Sequence, residues 1–498
     1  MTSPRERRSL THVGGEARRS GQGVYASLLA HALDVESSIA GSESTSAATG
    51  PGEPAPSPAE AAARAHVHGF HTYPARMHPT TAARLVLGLS RRGDTVLDPF
   101  CGSGTVLVEA KRGGRRALGV DLNPLAVRLA RCKLEPASAE HRAELVAHAR
   151  AIGELATSRR KARVGASRRY PPEDVASFDP HVLLELDGLR VGVEAERDAR
   201  LRGELELVLS SLLVKLSRRS SDTSSGERAT RIAAGFPTKS FVRKAEELAM
   251  RLGEVEPAML AAPPSRVVEG DARVLEMFDP ESVDLVVSSP PYAGVYDYVE
   301  HHRLRLRWLG LPTASFDAGE IGAKRHAREL SPAEAHARYL DETVAVLRAL
   351  HGVLREGGKI VWLVADGTAG RQALPADELV REAAWLAGLE VVAVASQERP
   401  HFDRSTRSAF ERRPRYEHAM LLAKTGEPTH EGDASHEHER AAAGSEHRRA
   451  HGTARTVQSR APSGGGARPP SSGGGAQPPR EPVHAGARGR RERGPRGV

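Results

Sequence analysis

The chain has 498 residues, room for two or three domains of roughly 100 to 200 residues each, but 48 Gly, 33 Pro and only 4 % aromatic residues mean that part of this length cannot bury enough apolar surface to offset chain entropy. No run reaches the roughly 18 apolar residues of a membrane span, the start MTSPRERRSL lacks the apolar segment of a signal peptide, and the two cysteines, Cys101 and Cys132, are too few for a disulfide framework or a zinc cluster, so a cytoplasmic protein without a metal site is expected. The net charge of +8, with its excess in the middle and tail of the chain, favours an acidic partner such as nucleic acid.

Residues 1–60 read as a disordered linker or arm, apart from a short apolar patch near Tyr25 to Leu33. From there strand-like runs alternate with helical patterns, which predicts an α/β fold: a Rossmann-like, seven-stranded, mostly parallel sheet with helices on both faces. The strands are expected at 95–100, 117–121, 265–271, 283–290, 359–366, 389–397 and 416–424, with the last pair suited to an antiparallel edge. Helices are expected at 105–114, 124–134, 333–354 and 376–389, from apolar residues at three- and four-residue spacing. Residues 136–262 interrupt the alternation with helical segments and no convincing strand, so they form a helical insertion, a second domain, between the halves 61–135 and 263–426. The final stretch, 427–498, has no Leu, Ile, Met or aromatic residue and is expected to be a disordered basic tail.

The first chemical signal is LDPFCGSGTVLVEA, Leu97 to Ala110, an apolar strand running into a glycine-flanked turn and a helix. Gly102 and Gly104 let backbone amides at the helix start approach a ligand, where the helix dipole favours electronegative groups. Leu107 interrupts the G-x-G-x-x-G pattern of pyrophosphate sites, while Asp121, at the end of the next strand, is placed to accept hydrogen bonds from both hydroxyls of a ribose. Together they predict a nucleoside cofactor without a pyrophosphate. The second signal is VDLVVSSPPYAGVYDY: Pro290 and Pro291 cannot extend a central strand and must turn the chain at the carboxyl end of the sheet. Ser289 then offers a side-chain oxygen, Pro290 a carbonyl and Tyr292 a flat face, a set suited to an amino group on a planar ring.

These motifs resemble those of the S-adenosylmethionine-dependent DNA amino-methyltransferases that modify cytosine N4 or adenine N6. DPFCGSGT is similar to their cofactor motif and SSPPY to their catalytic motif, the Ser form leaning toward cytosine N4; HGFHTYPARMHPTTA, His68 to Ala82, resembles the segment preceding the cofactor motif. The resemblance covers about 66–134 and 263–426. It implies that Tyr73, Asp98, Phe100, Gly102 and Gly104 surround the methionine and ribose of S-adenosylmethionine, that Asp121 holds the ribose hydroxyls and that Asp271 meets the adenine amino group. It implies further that Ser289, Pro290, Pro291 and Tyr292 form the catalytic unit, on a base flipped out if the substrate is a duplex.

Three further features bear on partners. His71, Tyr73, Arg76 and His78 cluster ahead of the first core strand without the spacing of a metal site. Tyr296 to Leu311 interleaves aromatic and basic residues, with Arg303 and Arg305 as candidate DNA contacts. Lys215 to Lys244 is basic and rich in hydroxyls, making Lys215, Arg218 and Arg219 candidates for phosphate contact within a target-recognising insertion. The rival functions are an RNA guanine-N2 methyltransferase, since related folds use similar Pro-Pro turns, and a non-catalytic nucleic-acid-binding protein, against which the intact motifs count.

Overall fold

All seven strand-like runs form, and an eighth strand joins them at one edge. The computed structural model describes residues 16–35, 57–221, 224–227, 231–327, 330–369, 372–399 and 404–425. The tail 427–498 and most of the N-terminal arm, for which disorder is expected, lie outside these residues. In chain order the strands are β1 (Arg18–Gly21), β2 (Thr95–Asp98), β3 (Arg116–Asp121), a short hairpin of β4 (Arg219–Ser221) and β5 (Ser224–Glu227), β6 (Arg266–Glu269), β7 (Val283–Ser288) and β8 (Leu354–Ala365). A second short hairpin, β9 (Gly367–Ala369) and β10 (Gln372–Leu374), precedes β11 (Leu389–Glu398) and β12 (Tyr416–Lys424). The main sheet has the order β1-β11-β12-β8-β7-β2-β3-β6. Its β6, β3, β2, β7 and β8 run parallel, and β12, β11 and β1 are each antiparallel to their neighbours.

Alternation along the strands sets the layers. Val361 and Leu363 of β8 enter the apolar cluster on one face, and Ile360, Trp362 and Val364 enter the cluster on the other. The central strands read as continuous apolar runs because helices cover both faces; every residue of β2 is buried. Sequence signals also place the helix starts. Asn123 caps Pro124–Leu134 by accepting from the Leu125 amide at 3.0 Å, and Ser331 with Glu334 forms a capping box ahead of Pro332–Val353.

Two expectations are corrected. The sheet has eight strands rather than seven, because Arg18–Gly21, read as part of a disordered arm, pairs with β11 from Arg18 opposite Ser396 to Gly21 opposite Ala393. All four of its residues are exposed, so the pairing rests on backbone groups and leaves no apolar pattern to read, while its two arginines suit an edge strand. The adjoining helix Gly23–Leu33 buries Leu29 and Leu33. Second, the insertion is not wholly helical: β4 and β5 form a hairpin after the helix Ala199–Leu216. Its long helices Ala139–Lys161, Pro180–Glu194, Ala199–Leu216 and Phe236–Leu252 contribute Leu145, Leu186, Leu205 and Phe241 to the same apolar cluster as Val96 and Val287 of the sheet. No helix among the described residues is long and apolar enough to cross a membrane.

Candidate active site

Strands β2 and β7 are neighbours, and the chain leaves β2 toward β3 on one side but β7 toward β8 on the other, so the two connections diverge there and open a crevice at the carboxyl ends of the strands. Asp98, the last residue of β2, joins the two motif turns at this point. Its Oδ1 accepts from the Ser288 hydroxyl at 2.7 Å, at the end of β7, and from the Phe100 amide at 3.1 Å. Burial pushes its carboxyl up to about 7, against those two bonds.

The glycine turn follows. Asp121, closing β3, accepts from the amides of Gly102 and Asn123, both at 2.8 Å and one on each oxygen, and burial raises its carboxyl to about 6. A carboxylate has about four lone-pair sites, so each oxygen keeps acceptor capacity. Gly102 has φ +48°, and a Cβ there would meet the Tyr73 ring at 3.2 Å. Tyr73 in turn stacks on His302 with centroids 4.7 Å apart and accepts from the Asn123 side chain at 3.3 Å. Gly104 has a different reason to be glycine than ligand approach: its φ is +83°, a Cβ would lie 3.0 Å from that of Ala130, and it does not line the cleft.

The cleft holds about 850 Å³ of empty space, solvent at its mouth included. Tyr73, Asp98, Phe100, Gly102, Asp121 and Asp271 all line it, so the structure brings together every predicted cofactor residue except Gly104. Asp271 is bound by the Arg273 guanidinium at 2.6 Å, and Arg273 also donates to the Gly319 carbonyl at 3.2 Å. Ser103 and Thr105 line the cleft with buried hydroxyls that have no partner among the described residues. Sequence reasoning missed its far wall, where Tyr298, Phe316, Glu320 and Ile321 lie. Glu320 accepts from the Tyr298 amide at 2.6 Å, and burial holds its carboxyl above the usual range. Tyr298 sits in the aromatic and basic stretch assigned to DNA contact; a Tyr on a polar helix carries no local sign of which ligand it faces.

A second cavity of about 640 Å³ adjoins the first. Ser289 lines both, as do Ala75, Arg76 and Met77. Tyr292, Tyr296, Arg399, Arg415 and Glu417 also line the second, as do Leu33 and Val35 of the N-terminal segment. The Ser289 and Tyr292 hydroxyls lie 3.2 Å apart, and that of Tyr292 donates to Glu417 at 2.9 Å. Pro291 lines the first cleft and its carbonyl accepts from the Tyr339 hydroxyl at 2.8 Å; Pro290 is buried and lines neither cavity.

The nucleic-acid candidates separate. Lys215 and Arg218 are exposed beside the β4–β5 hairpin, with Arg219 half-buried, and Arg218 donates to Asp179 at 3.0 Å. Arg303 is exposed and pairs with Glu300 at 2.6 Å. Arg305 is a correction: it is fully buried and donates to Thr72 Oγ1 at 3.0 Å and the Ser210 carbonyl at 3.3 Å, tying its helix to the insertion. It faces inward because Tyr298–Trp308 has Leu304 and Trp308 on its packed side, and Arg305 lies beside Leu304 and Trp308 on that wheel. The histidines ahead of β2 are structural ties. His71 meets Ser210 Oγ at 3.1 Å, while His78 accepts from the Thr80 amide at 3.1 Å and faces the Ala59 carbonyl at 3.0 Å. Among the described residues, Asp366, Asp377 and His418 could bring ligand atoms within 4.8 Å of one another. Asp366 there already accepts from the Ala376 and Tyr416 amides at 2.9 and 3.0 Å.

Residues 44–131 match a family model described as DNA methylase, of the N6/N4 type. The chain is 44 % identical over 66 residues to the type II methyltransferase M2.DpnII of Streptococcus pneumoniae, covering 12 % of this chain and 25 % of that protein. It is 25 % identical over 276 residues to the type II methyltransferase M.MvaI of Kocuria varians, covering 49 % and 58 %. The matches thus span less than two thirds of these relatives. They support the resemblance to DNA amino-methyltransferases drawn from the motifs. A TehB-like SAM-dependent methyltransferase structure from Corynebacterium glutamicum matches 69 % of this chain and 87 % of its own at 12 % identity, with a TM-score of 0.25, so the fold rests on the strand order itself.

Proposed function

We propose that the chain transfers the methyl group of S-adenosylmethionine to an exocyclic amino group of a DNA base, cytosine N4 ahead of adenine N6. The observation that carries this reading is the meeting of two cavities at Ser289, one built on the glycine turn and Asp121, the other on Tyr292. The DNA-methylase model over 44–131 and the type II methyltransferase relatives point the same way.

The first cleft fits S-adenosylmethionine in its donors and acceptors. Asp121 retains acceptor capacity for two ribose hydroxyls, the hydroxyls of Ser103 and Thr105 lack partners among the described residues, and Phe100, Leu122 and Phe316 provide apolar walls for a flat ring. Asp271 lines the same cleft, where it would meet the adenine amino group. When bound, the cofactor supplies an electrophilic methyl on a positively charged sulfur. The chain's own task is to hold an amine in line with it. An exocyclic nitrogen is a poor nucleophile while its lone pair is delocalised into the ring, and a hydrogen bond from its N–H to Ser289 favours a more pyramidal nitrogen; the Pro290 carbonyl, the second acceptor the motif implies, belongs to a residue that lines neither cavity. Orientation and oxygen acceptors fixed in the cleft supply the remaining acceleration. Tyr292 offers its ring to a flipped base. The insertion 136–262, with Lys215, Arg218 and Arg219, is assigned to target recognition, and 61–135 with 263–426 to cofactor binding and catalysis.

The test is incubation with methyl-labelled S-adenosylmethionine and either DNA or tRNA, then digestion to nucleosides and mass spectrometry. N4-methylcytosine is expected, with N6-methyladenine the second choice. N2-methylguanine in RNA with no methylated DNA base would overturn the DNA reading.

A further inference from the structure

The Ser289 and Tyr292 hydroxyls, 3.2 Å apart, could share their hydrogen bond in either direction. Glu417, on β12 and more than a hundred residues away in sequence, removes that freedom. One of its oxygens accepts from Tyr292 at 2.9 Å, and the other accepts from the Arg399 guanidinium, whose Nε lies 2.9 Å away. An ionised carboxylate is acceptor-only and a guanidinium is donor-only. The single Tyr292 proton is therefore committed to Glu417, and Ser289 must donate its own proton to the Tyr292 oxygen. What remains of Ser289 toward the junction of the two cavities is lone pair.

We infer that Glu417 is a positioning residue which, through Tyr292, sets Ser289 as an obligate acceptor and so selects bases bearing an amino rather than an oxo group at the reacting position. This rests on the methyltransferase reading and deepens it. An amine entering the second cavity finds an acceptor for one of its hydrogens. A carbonyl oxygen in the same place, as in uracil, thymine or hypoxanthine, meets lone pair against lone pair and leaves both unpaired, which buried polar groups tolerate poorly. The same polarity favours the pyramidal, nucleophilic form of the amine. Neither Glu417 nor Arg399 lies near the SPPY motif in sequence; the β11–β12 edge brings them to it.

The chain makes a distinctive prediction for Glu417→Gln. Arg399 can only donate, so the glutamine carbonyl must face it and the glutamine NH₂ must face Tyr292. Tyr292 then accepts from the glutamine and donates to Ser289, whose proton swings into the cavity, reversing the polarity of the site. Single-turnover methyl transfer to DNA should fall on the order of 10- to 100-fold, the range for misdirecting one hydrogen bond to the reacting group, with cofactor affinity unchanged. Tyr292→Phe cuts the chain and frees Ser289 to turn, so it should slow transfer less. The double variant Tyr292→Phe/Glu417→Gln should recover to the rate of Tyr292→Phe alone. That rescue separates a hydrogen-bond polarity from a generic loss of packing or charge, which would make the double variant slower than either single. A Glu417→Gln enzyme as fast as wild type, or multiplying rather than rescued defects, overturns the inference. Should Glu417→Gln not fold, near-isosteric Tyr292→Phe carries the test, and an unchanged transfer rate there overturns it equally. Wild-type protein that methylates no nucleic acid would instead remove the methyltransferase reading itself, and the inference with it.

Discussion

The two cavities that meet at Ser289 are built in opposite ways. The first takes most of its polar residues from short stretches that are motifs in their own right: Asp98 to Thr105, then Asp121, then Gly270 to Ala272. The second draws Leu33 from the N-terminal helix, Tyr292 from the turn after β7, and Arg399, Arg415 and Glu417 from the β11–β12 pair, segments far apart in the chain. A cofactor held by a turn and the strand beside it needs local geometry, which a contiguous sequence can encode. A pocket for the reacting partner stands where the antiparallel edge closes on the parallel sheet, and only the completed sheet assembles it. The contrast predicts that damage to each cavity should have its own kinetic signature.

The largest effect is expected at the junction. Ser289→Ala deletes one acceptor for the amine, so transfer should slow by roughly 10- to 1000-fold, about 1.4 to 4 kcal/mol, with cofactor affinity little changed. Single-turnover kinetics beside calorimetric cofactor titration measures both; full activity would sink the assigned role of Ser289.

Next comes the first cavity alone. Asp121→Ala should cost about 1.5 to 3 kcal/mol of cofactor affinity through lost charge-assisted hydrogen bonds. It also removes the acceptors for the Gly102 and Asn123 amides, so unfolding must be followed in parallel. A gentler form of the same test uses pH. Because burial raises the Asp121 carboxyl to about 6, it is ionised and fully accepting above that value and progressively protonated below it. Cofactor affinity should therefore fall as pH drops through about 6, by at most tenfold per unit. Asp98, with its carboxyl near 7 in the same cleft, titrates in a neighbouring range, so Asp121→Asn decides the source. Its affinity should be weaker and flat through pH 6, and a persistent slope would assign the dependence elsewhere.

The smallest effect concerns neither cavity. Neutralising Lys215, Arg218 and Arg219 together should weaken DNA binding and flatten its salt dependence, each lost phosphate contact lowering the slope by about 0.9, and leave cofactor titration untouched. An unchanged slope would return these residues to ordinary surface charge. Arg303 and Arg305 sharpen the point, since only Arg303 is exposed enough to belong with them.

Much of this architecture is legible in the sequence. All seven expected strands form, six of them within two residues of their predicted bounds and β8 starting five residues early, and the helix Pro124–Leu134 matches its predicted span. The reason is that period-two and continuous apolar runs, glycine at positive φ and proline at strand ends are local consequences of backbone sterics and burial. The exposed strand β1 escaped because backbone pairing at a sheet edge needs no apolar side chain. Arg305 was misjudged because a guanidinium reads as surface until a neighbouring carbonyl and hydroxyl are found to satisfy it in the interior.

From sequence alone, then, came the parallel core, the glycine turn with its acidic partner Asp121 and the Ser-Pro-Pro-Tyr turn, each of which is written in short contiguous stretches of the chain. The tertiary structure alone decided that Asp98 locks the two turns together through Ser288, that Tyr298 and Glu320 wall the cofactor cleft, and that Glu417 directs the Tyr292 hydroxyl. Hydrogen-bond direction and cavity shape depend on which side chains meet across a closed sheet, and a linear sequence records that meeting nowhere.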